Sequence, residues 1–386
     1  MKRIVSLLFI FTMIFAMFPG AAVAKGSKNL HINVFLNTEI TDEILAELGD
    51  YGKVIGKLVK IDALTMKIAA DQLDDIQALP YVEAANPDAE RLGSPVDTVF
   101  VEDFADGLST WNLDSVNATD FGFANRQVDY DGAGVYVAVL DTGLLGTWRQ
   151  YFPEERIDEE YGMSFGGGGN EKGNVSSQPN KWEKDVNSHG THVTSTIIGY
   201  SFGSTPINGV APKATIIPVK VLNQNGSGWS SVVAAGITYI ADLKADPDSR
   251  LHDAPVVINM SLGGPVLDAV EQAAIDYAIE QGVIIVASAG NAGELGMGYP
   301  GAYEPVISVA ASGWVGEWTS GDWWYALDVA DPTAAEDFYI TDFSSRELPG
   351  QDLDVAAPGS WVVGPYQLQM GKTSYYFLGG TSMASP

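Results

Sequence analysis

Apolar and polar positions follow three rhythms along this chain. Residues 4–18 are almost continuously apolar, set between the basic start Met1-Lys2-Arg3 and the small residues Ala22-Val23-Ala24. From Leu30 to Leu36 apolar and polar residues alternate, which predicts a strand. Thr41-Asp42-Glu43-Ile44-Leu45 opens a short acidic helix. Val54–Ala69 reads as two strands, Leu73–Leu79 as a second helix and Tyr81–Ala84 as a last strand. The order βαββαβ predicts a small ferredoxin-like (α+β) domain over 25–95. Residues 91–130, with Pro95, Gly107 and many Asp and Asn, read as a linker and entry segment.

From Val135 the rhythm changes. Val135–Leu140, Ile216–Leu222, Val256–Met260, Val283–Ala287 and Val306–Ala310 are β-branched, near-continuous apolar runs. Such runs suit parallel strands covered on both faces. His189–Ile198, Ser230–Lys244 and Val266–Glu280 read as helices between them. The alternation predicts an α/β domain over 96–386, three layers around a mainly parallel central sheet. Residues 312–345, with Trp314, Trp318, Trp323 and Trp324, break the pattern and read as an inserted loop or hairpin. Gly166-Gly167-Gly168-Gly169 reads as a mobile turn; it lacks the spacing and following lysine of a phosphate loop.

Length and charge narrow the field. The 386 residues suffice for two or three domains with a large core. Lys+Arg 21 against Asp+Glu 49 gives a net charge of −28, which argues against nucleic acid and anionic lipid surfaces as partners. Such self-repulsion fits a saline or calcium-rich habitat, and equally a plain acidic exported protein. With no cysteine there is no disulfide, thiol nucleophile or thiolate metal site. The apolar run at 4–18 is short for a membrane span, which needs about 20 residues. With its flanks it reads as a signal peptide over 1–24, so the product is expected outside the cell and free of the membrane after cleavage.

Three segments carry chemistry. Ser382 follows Gly379-Gly380-Thr381 at the mouth of a helix, where a hydroxyl is exposed and a backbone N–H is unpaired. Serine needs an adjacent base to act as a nucleophile, usually an imidazole held by a carboxylate. The chain has four histidines. His31 and His252 read as surface residues, which leaves His189 and His192 in Asn187-Ser188-His189-Gly190-Thr191-His192-Val193. Ser188 can cap the helix they open. A pair of histidines at i, i+3 can also hold zinc, but no third ligand stands near and no His-Glu-x-x-His occurs. Asp141, in Val139-Leu140-Asp141-Thr142-Gly143, ends an apolar strand and so reaches the carboxyl edge of the sheet. An aspartic peptidase would need a second Asp-Thr-Gly, and none is present. Asn291, in Ala289-Gly290-Asn291-Ala292-Gly293, follows another strand to the same edge, where its amide can meet a developing oxyanion.

Taken together, the Asp-Thr-Gly, His-Gly-Thr-His, Ala-Gly-Asn and Gly-Thr-Ser-Met-Ala-Ser-Pro segments resemble the subtilisin-like serine peptidases, from about Trp111 to Pro386. The resemblance implies a secreted serine endopeptidase with Asp141, His189 and Ser382 as its triad and Asn291 as oxyanion donor; it also chooses His189 over His192. It implies substrate contacts from Gly226, Ser227 and Gly228, a specificity pocket walled by Ser261, Leu262 and Gly263 and by Ala287, Ser288, Ala289 and Gly290, and a floor at Gly298. Residues 25–95 resemble the family's inhibitory propeptide, an intramolecular partner beside polypeptide substrates. A monomer without catalytic cofactors is expected; structural calcium is compatible, with no ligand assigned.

Three departures qualify the resemblance. Leu144–Pro153 replaces the usual continuation after Asp141, and the Trp-rich segment is longer than in compact members. The family's fold runs on beyond Ser382 as a core helix, so these residues alone are expected to fold poorly or be inactive, and cell-surface attachment would reside in further regions. A binding protein without activity, or a peptide ligase on the same scaffold, is the alternative reading.

Overall fold

The computed structural model describes residues 29–100, 108–123, 125–318 and 328–386. The expected signal peptide, and Trp323 and Trp324, lie outside the described residues. The N-terminal domain is one four-stranded antiparallel sheet in the order Gly52–Leu58, Ala63–Ala69, Asn29–Leu36, Val82–Pro87. The period-two pattern puts Ile32, Val34, Leu36, Leu64, Met66 and Ile68 on one face, buried beneath Leu48 and Ile76 of the two helices Asp42–Tyr51 and Leu73–Gln77. Thr41 caps the first of these, accepting the Ile44 N–H at 3.3 Å.

The larger domain is built on a sheet whose central strands are parallel. Ile307–Trp314, Ile284–Ser288, Val256–Met260, Tyr136–Asp141 and Thr215–Lys220 lie side by side in that order. Alternate residues of each strand serve opposite layers. Ala138, Leu140, Ile217, Val219 and Ile258 meet the helices Ser230–Ala245 and Ala269–Glu280 in one core. Val137, Val139 and Ile216 meet Val193 and Ile197 of the helix His189–Ile198 in the other. Near-continuous apolar strands are therefore a consequence of burial on both sides.

The connection order sets the site. Tyr136–Asp141 is flanked on one side by Thr215–Lys220, the next long strand in sequence, and on the other by Val256–Met260, which follows it. This reversal opens a crevice at the carboxyl ends of the strands, where Asp141 ends its own.

Several expectations are adjusted. The third helix starts at Ala269 rather than Val266, because Asp268 accepts the Val270 and Glu271 N–H groups as its cap. The four glycines 166–169 form a tight left-handed turn, with Gly169 buried against Leu222 and Asn223. Trp314 ends the strand Ile307–Trp314, so the Trp-rich segment begins inside the sheet. Leu144–Pro153 is a packed element: Leu144, Leu145, Trp148 and Phe152 are all buried.

The two domains share polar contacts at helix N-termini. Asp88, from the N-terminal domain, accepts the Ser231 N–H at 3.1 Å at the start of Ser230–Ala245. Asn33 donates to Asp88 at 3.2 Å and to Asp268 at 2.8 Å. Burial pushes the Asp88 carboxyl up, against the lowering effect of its bonds from Ser231. Among the described residues no helix is long and apolar enough to cross a membrane.

Candidate active site

The site is assembled by three close approaches. The strand carrying Asp141 ends at the crevice, and Gly190 lets the histidine helix meet the turn behind it. A Cβ on Gly190 would lie 2.4 Å from the Gly143 carbonyl oxygen, so only glycine fits. His189 Nδ1 consequently lies 2.9 Å from each oxygen of Asp141. Both side chains are completely buried. The Asp141 carboxylate also accepts the Thr142 N–H at 2.6 Å, so one of its oxygens is tied to its own loop. An ionised carboxylate on Nδ1 holds the imidazole as the Nδ1–H tautomer and leaves Nε2 with a lone pair. Nε2 has no partner among the described residues.

Ser382 stands in the short helical turn Thr381–Ala384, with Gly380 just before it. Its hydroxyl donates to the Ser261 carbonyl at 3.2 Å. That carbonyl and His189 Cε1 both border Gly93, at 2.9 and 3.4 Å from where a Cβ would stand. The hydroxyl and the imidazole thus face the same few ångströms of the cleft. No hydrogen bond joins the Ser382 hydroxyl to His189 Nε2 in this arrangement; a nucleophile–base bond often tightens only in the reacting complex. Asn291 Oδ1 accepts the Thr381 N–H at 2.9 Å and the Thr381 hydroxyl at 2.8 Å. The anchored carbonyl fixes the amide plane and leaves the exposed Nδ2 free to point at a ligand.

His192 has a separate task. Its Nε2 lies 3.1 Å from the Val362 carbonyl, which requires a proton on that nitrogen. Complete burial, reinforced by the charge of His189, holds its pKa down at about 3. It fastens the strand Val362–Gln367 to the histidine helix.

Two expectations about polar residues change here. Ser188 does not cap the histidine helix: it sits at φ 81°, its hydroxyl donates to the Asn187 carbonyl and accepts the Gln367 N–H. The first N–H groups are met instead by Asn187 Oδ1, 3.1 Å from His189 N, and Thr142 Oγ1, 2.9 Å from Gly190 N. His31 is not a surface residue; it is part-buried against Gly173 at the contact of the two domains. Burial lowers its pKa.

The residues expected to hold substrate are drawn together around a second strand pairing. Ser227–Trp229 pairs antiparallel with Glu90–Leu92, and the Gly226 carbonyl accepts the Gly93 N–H at 2.8 Å. On the other side Leu92 and Gly263 exchange both backbone bonds at 2.9 Å. Ser261 Oγ donates to the Ser382 carbonyl at 2.9 Å. Leu262, Ala287 and Ala289 are buried, and the Ser288 hydroxyl donates to the Leu262 carbonyl at 3.3 Å, which joins the two walls. Gly298 N–H donates to Ala289, and a Cβ there would lie 3.4 Å from the Gly264 carbonyl. Gly290, at φ 103°, turns the chain toward Asn291.

Sequence reasoning missed a buried polar cluster beneath the site. Asp185 accepts from Thr142 Oγ1 at 3.0 Å and from the Asn187 and Ser188 N–H groups at 2.8 Å each. Burial pushes its carboxyl up to about 6, opposed first by the charge of Lys220. Lys220 is itself buried, donates to the Thr142 and Leu222 carbonyls at 2.6 and 2.7 Å, and has its pKa lowered by burial. One acid among many in a loop gives no pattern to read. Among the described residues no group of three or more His, Asp or Glu side chains could hold a metal ion.

A carboxylate–imidazole pair, a serine at a helix start and an anchored asparagine amide, all at the carboxyl edge of a parallel sheet, define an acyl-transfer hydrolase of the serine type. Residues 132–386 match the model of the Subtilase family (Peptidase_S8). The chain is 34% identical over 256 residues to thermitase of Thermoactinomyces vulgaris, covering 66% of this chain and 72% of that one. It is 29% identical over 386 residues to a thermostable alkaline protease of Halalkalibacterium halodurans, covering 100% of this chain and 86% of that one. The crystal structure of fervidolysin from Fervidobacterium pennivorans, a keratinolytic enzyme related to subtilisin, superposes with a TM-score of 0.64 at 24% identity. That match covers 95% of this chain and 54% of the other, about half its length, and speaks for the fold. The chain belongs to the subtilase family and is a subtilisin-like serine peptidase.

Proposed function

We propose that this chain is an exported endopeptidase that hydrolyses peptide bonds through an acyl-enzyme formed on Ser382. The observation that carries the reading is the placement of His189 Nδ1 at 2.9 Å from both Asp141 oxygens, with Nε2 left unpartnered. In the first step Ser382 Oγ forms a bond to the substrate carbonyl carbon while its proton passes to His189 Nε2. Asp141 stabilises the imidazolium without taking the proton. Asn291 Nδ2 and the Ser382 N–H donate to the oxyanion. Collapse breaks the C–N bond, and the amine leaves with the proton from His189. Water, deprotonated by the same imidazole, then releases the acid and restores the Ser382 hydroxyl.

Residues 25–95 act in this reading as an intramolecular inhibitor. Support comes from the strand Glu90–Leu92, which lies on Ser227–Trp229 as an added strand and meets Gly263 on its other edge. The Met1–Ala24 pattern supports export. The enzyme is proposed to work as a monomer.

The test is labelling of the full-length protein by a fluorophosphonate, together with hydrolysis of casein. Both are expected in the protein as given by its gene and lost in Ser382→Ala. Labelling that survives Ser382→Ala, or a folded protein that neither reacts nor cleaves, removes the proposal.

A further inference from the structure

Arg91 is completely buried, although it lies beyond the last strand, Val82–Pro87, of the N-terminal sheet. Its Nε donates to both oxygens of Glu271, at 3.0 and 3.1 Å, and Nη2 reaches the same carboxylate. Nη2 also donates to the Val266 carbonyl at 3.1 Å, and Nη1 to the Glu90 carbonyl at 3.1 Å. Glu271 is 1% exposed, in the first turn of Ala269–Glu280, on the larger domain. Gly264 keeps the passage open: a Cβ there would stand 2.9 Å from Arg91 Nη1 and 2.3 Å from the Glu90 carbonyl oxygen.

Backbone register tells which peptide bond this arginine precedes. Leu92 is locked to Gly263, the Gly93 N–H to the Gly226 carbonyl, and the Val96 N–H to the Gly379 carbonyl at 2.7 Å. Gly93 lies beside His189 Cε1 and Ser261, and its carbonyl is turned toward Gly226. Pro95 Cα lies 3.7 Å from where a Cβ on Gly380 would be, two residues before Ser382. The bond crossing the catalytic serine is therefore Ser94–Pro95, and Arg91 is the fourth residue on its amino side.

We propose that Glu271 selects arginine at the fourth residue before the bond to be cut, in polypeptide substrates that replace residues 90–93 in the cleft. The proposal rests on the peptidase reading and adds its substrate class. A buried carboxylate is unfavourable unless paired, and release of residues 25–95 leaves Glu271 without its cation. Burial pushes the Glu271 carboxyl up, and the Arg91 charge opposes this most. Asp268, on the same domain as Glu271, lies close enough to add to the negative field. A planar guanidinium answers a carboxylate with two parallel bonds, which lysine cannot do. A substrate with an apolar residue there would leave the charge buried and alone.

The experiment uses internally quenched peptides cut by the full-length enzyme after residues 25–95 have been released. The peptides share one body and carry arginine, citrulline, lysine or leucine at the fourth position before the cut. Citrulline keeps the shape of arginine and removes its charge. The expected result is a kcat/KM for the arginine peptide at least about tenfold above the citrulline and leucine peptides, mostly through KM. Glu271→Gln is expected to bring the four rates together by removing the advantage of the arginine peptide. Equal cleavage of the arginine and citrulline peptides by the unaltered enzyme overturns the proposal, whatever the variant does. So does an arginine preference that persists in Glu271→Gln, or an enzyme that never releases residues 25–95. Peptides cut without discrimination leave the peptidase reading intact; failure of all cleavage together with failure of Ser382 labelling removes both.

Discussion

Asp185 and Thr142 are joined by a hydrogen bond of 3.0 Å that no catalytic motif contains. The Thr142 hydroxyl donates to Asp185 and accepts the Gly190 N–H at 2.9 Å. It thereby clamps the end of the Asp141 strand to the first turn of the histidine helix. The clamp supports the 2.9 Å contact between Asp141 and His189, together with the Thr191 hydroxyl of the same helix, which accepts the Leu145 N–H at 3.0 Å.

Thr142→Val should therefore hurt twice. Losing the hydroxyl leaves the Gly190 N–H without a partner and removes one of the two bonds to Asp185 Oδ2, at a cost of about 1–3 kcal/mol. Denaturant unfolding of the full-length Ser382→Ala protein, with and without the change, measures it. Turnover in the active background is expected to fall by up to about 10²-fold through misplacement of the imidazole. An unchanged midpoint and unchanged kcat would show that the clamp is idle.

Asp185 makes stability depend on pH in a direction opposite to most carboxylates. Its folded pKa is pushed up to about 6 by burial, above the ordinary 3.8 of the unfolded chain. The folded state then holds this proton more tightly, so the contribution is fully present below about pH 4 and is lost as pH rises through about 6. In Asp185→Asn this contribution is absent. The difference in unfolding free energy between the two proteins should change between pH 4 and 6 and be level above. A difference that stays constant over that window contradicts the assignment.

His192 acts the other way. Its folded pKa is held down at about 3 by burial and the charge of His189, below the ordinary 6.5. The unfolded chain takes the proton first, so stability falls as pH drops from about 6.5 toward 3, by at most about 1.4 kcal/mol per pH unit. His192→Gln, which keeps a donor toward the Val362 carbonyl, should flatten this acid limb. Acid unfolding curves of the two proteins that remain parallel would exclude His192 as its source.

Asn291→Ala tests the oxyanion role apart from the triad. Loss of one such donor costs about 10²–10³ in kcat, a figure known from subtilisin and carried here to a relative. KM should move little, because the donor meets charge that develops only in the transition state. Fluorophosphonate labelling should slow but persist. Full turnover in the variant would assign the oxyanion to other groups. Thr381 loses its acceptor in the same change, so Asn291→Asp, which keeps an acceptor and removes the donor, serves as the control.

The alternation at Leu30–Leu36 and the apolar runs from Val135 onward were enough to foresee both sheets. Strand residues buried on one face or on two leave different periods in the sequence, and that signal is local. Asp141, His189, Asn291 and Ser382 were legible for the same reason: each stands at a fixed place in a short segment, at the end of a strand or the start of a helix. Ser188 was misread because a capping residue is recognised by type, whereas its φ of 81° is imposed by the Asp185 loop around it. Arg91 and Glu271 lie 180 positions apart, and their contact is fixed by strand register and by the seating of a helix on the sheet. Side-chain packing across the whole domain sets those quantities, and no window of residues contains them. The order of the strands and the chemistry of the cleft's edge were thus written along the chain, while the buried charges that tune and select there arose only when distant segments were pressed together.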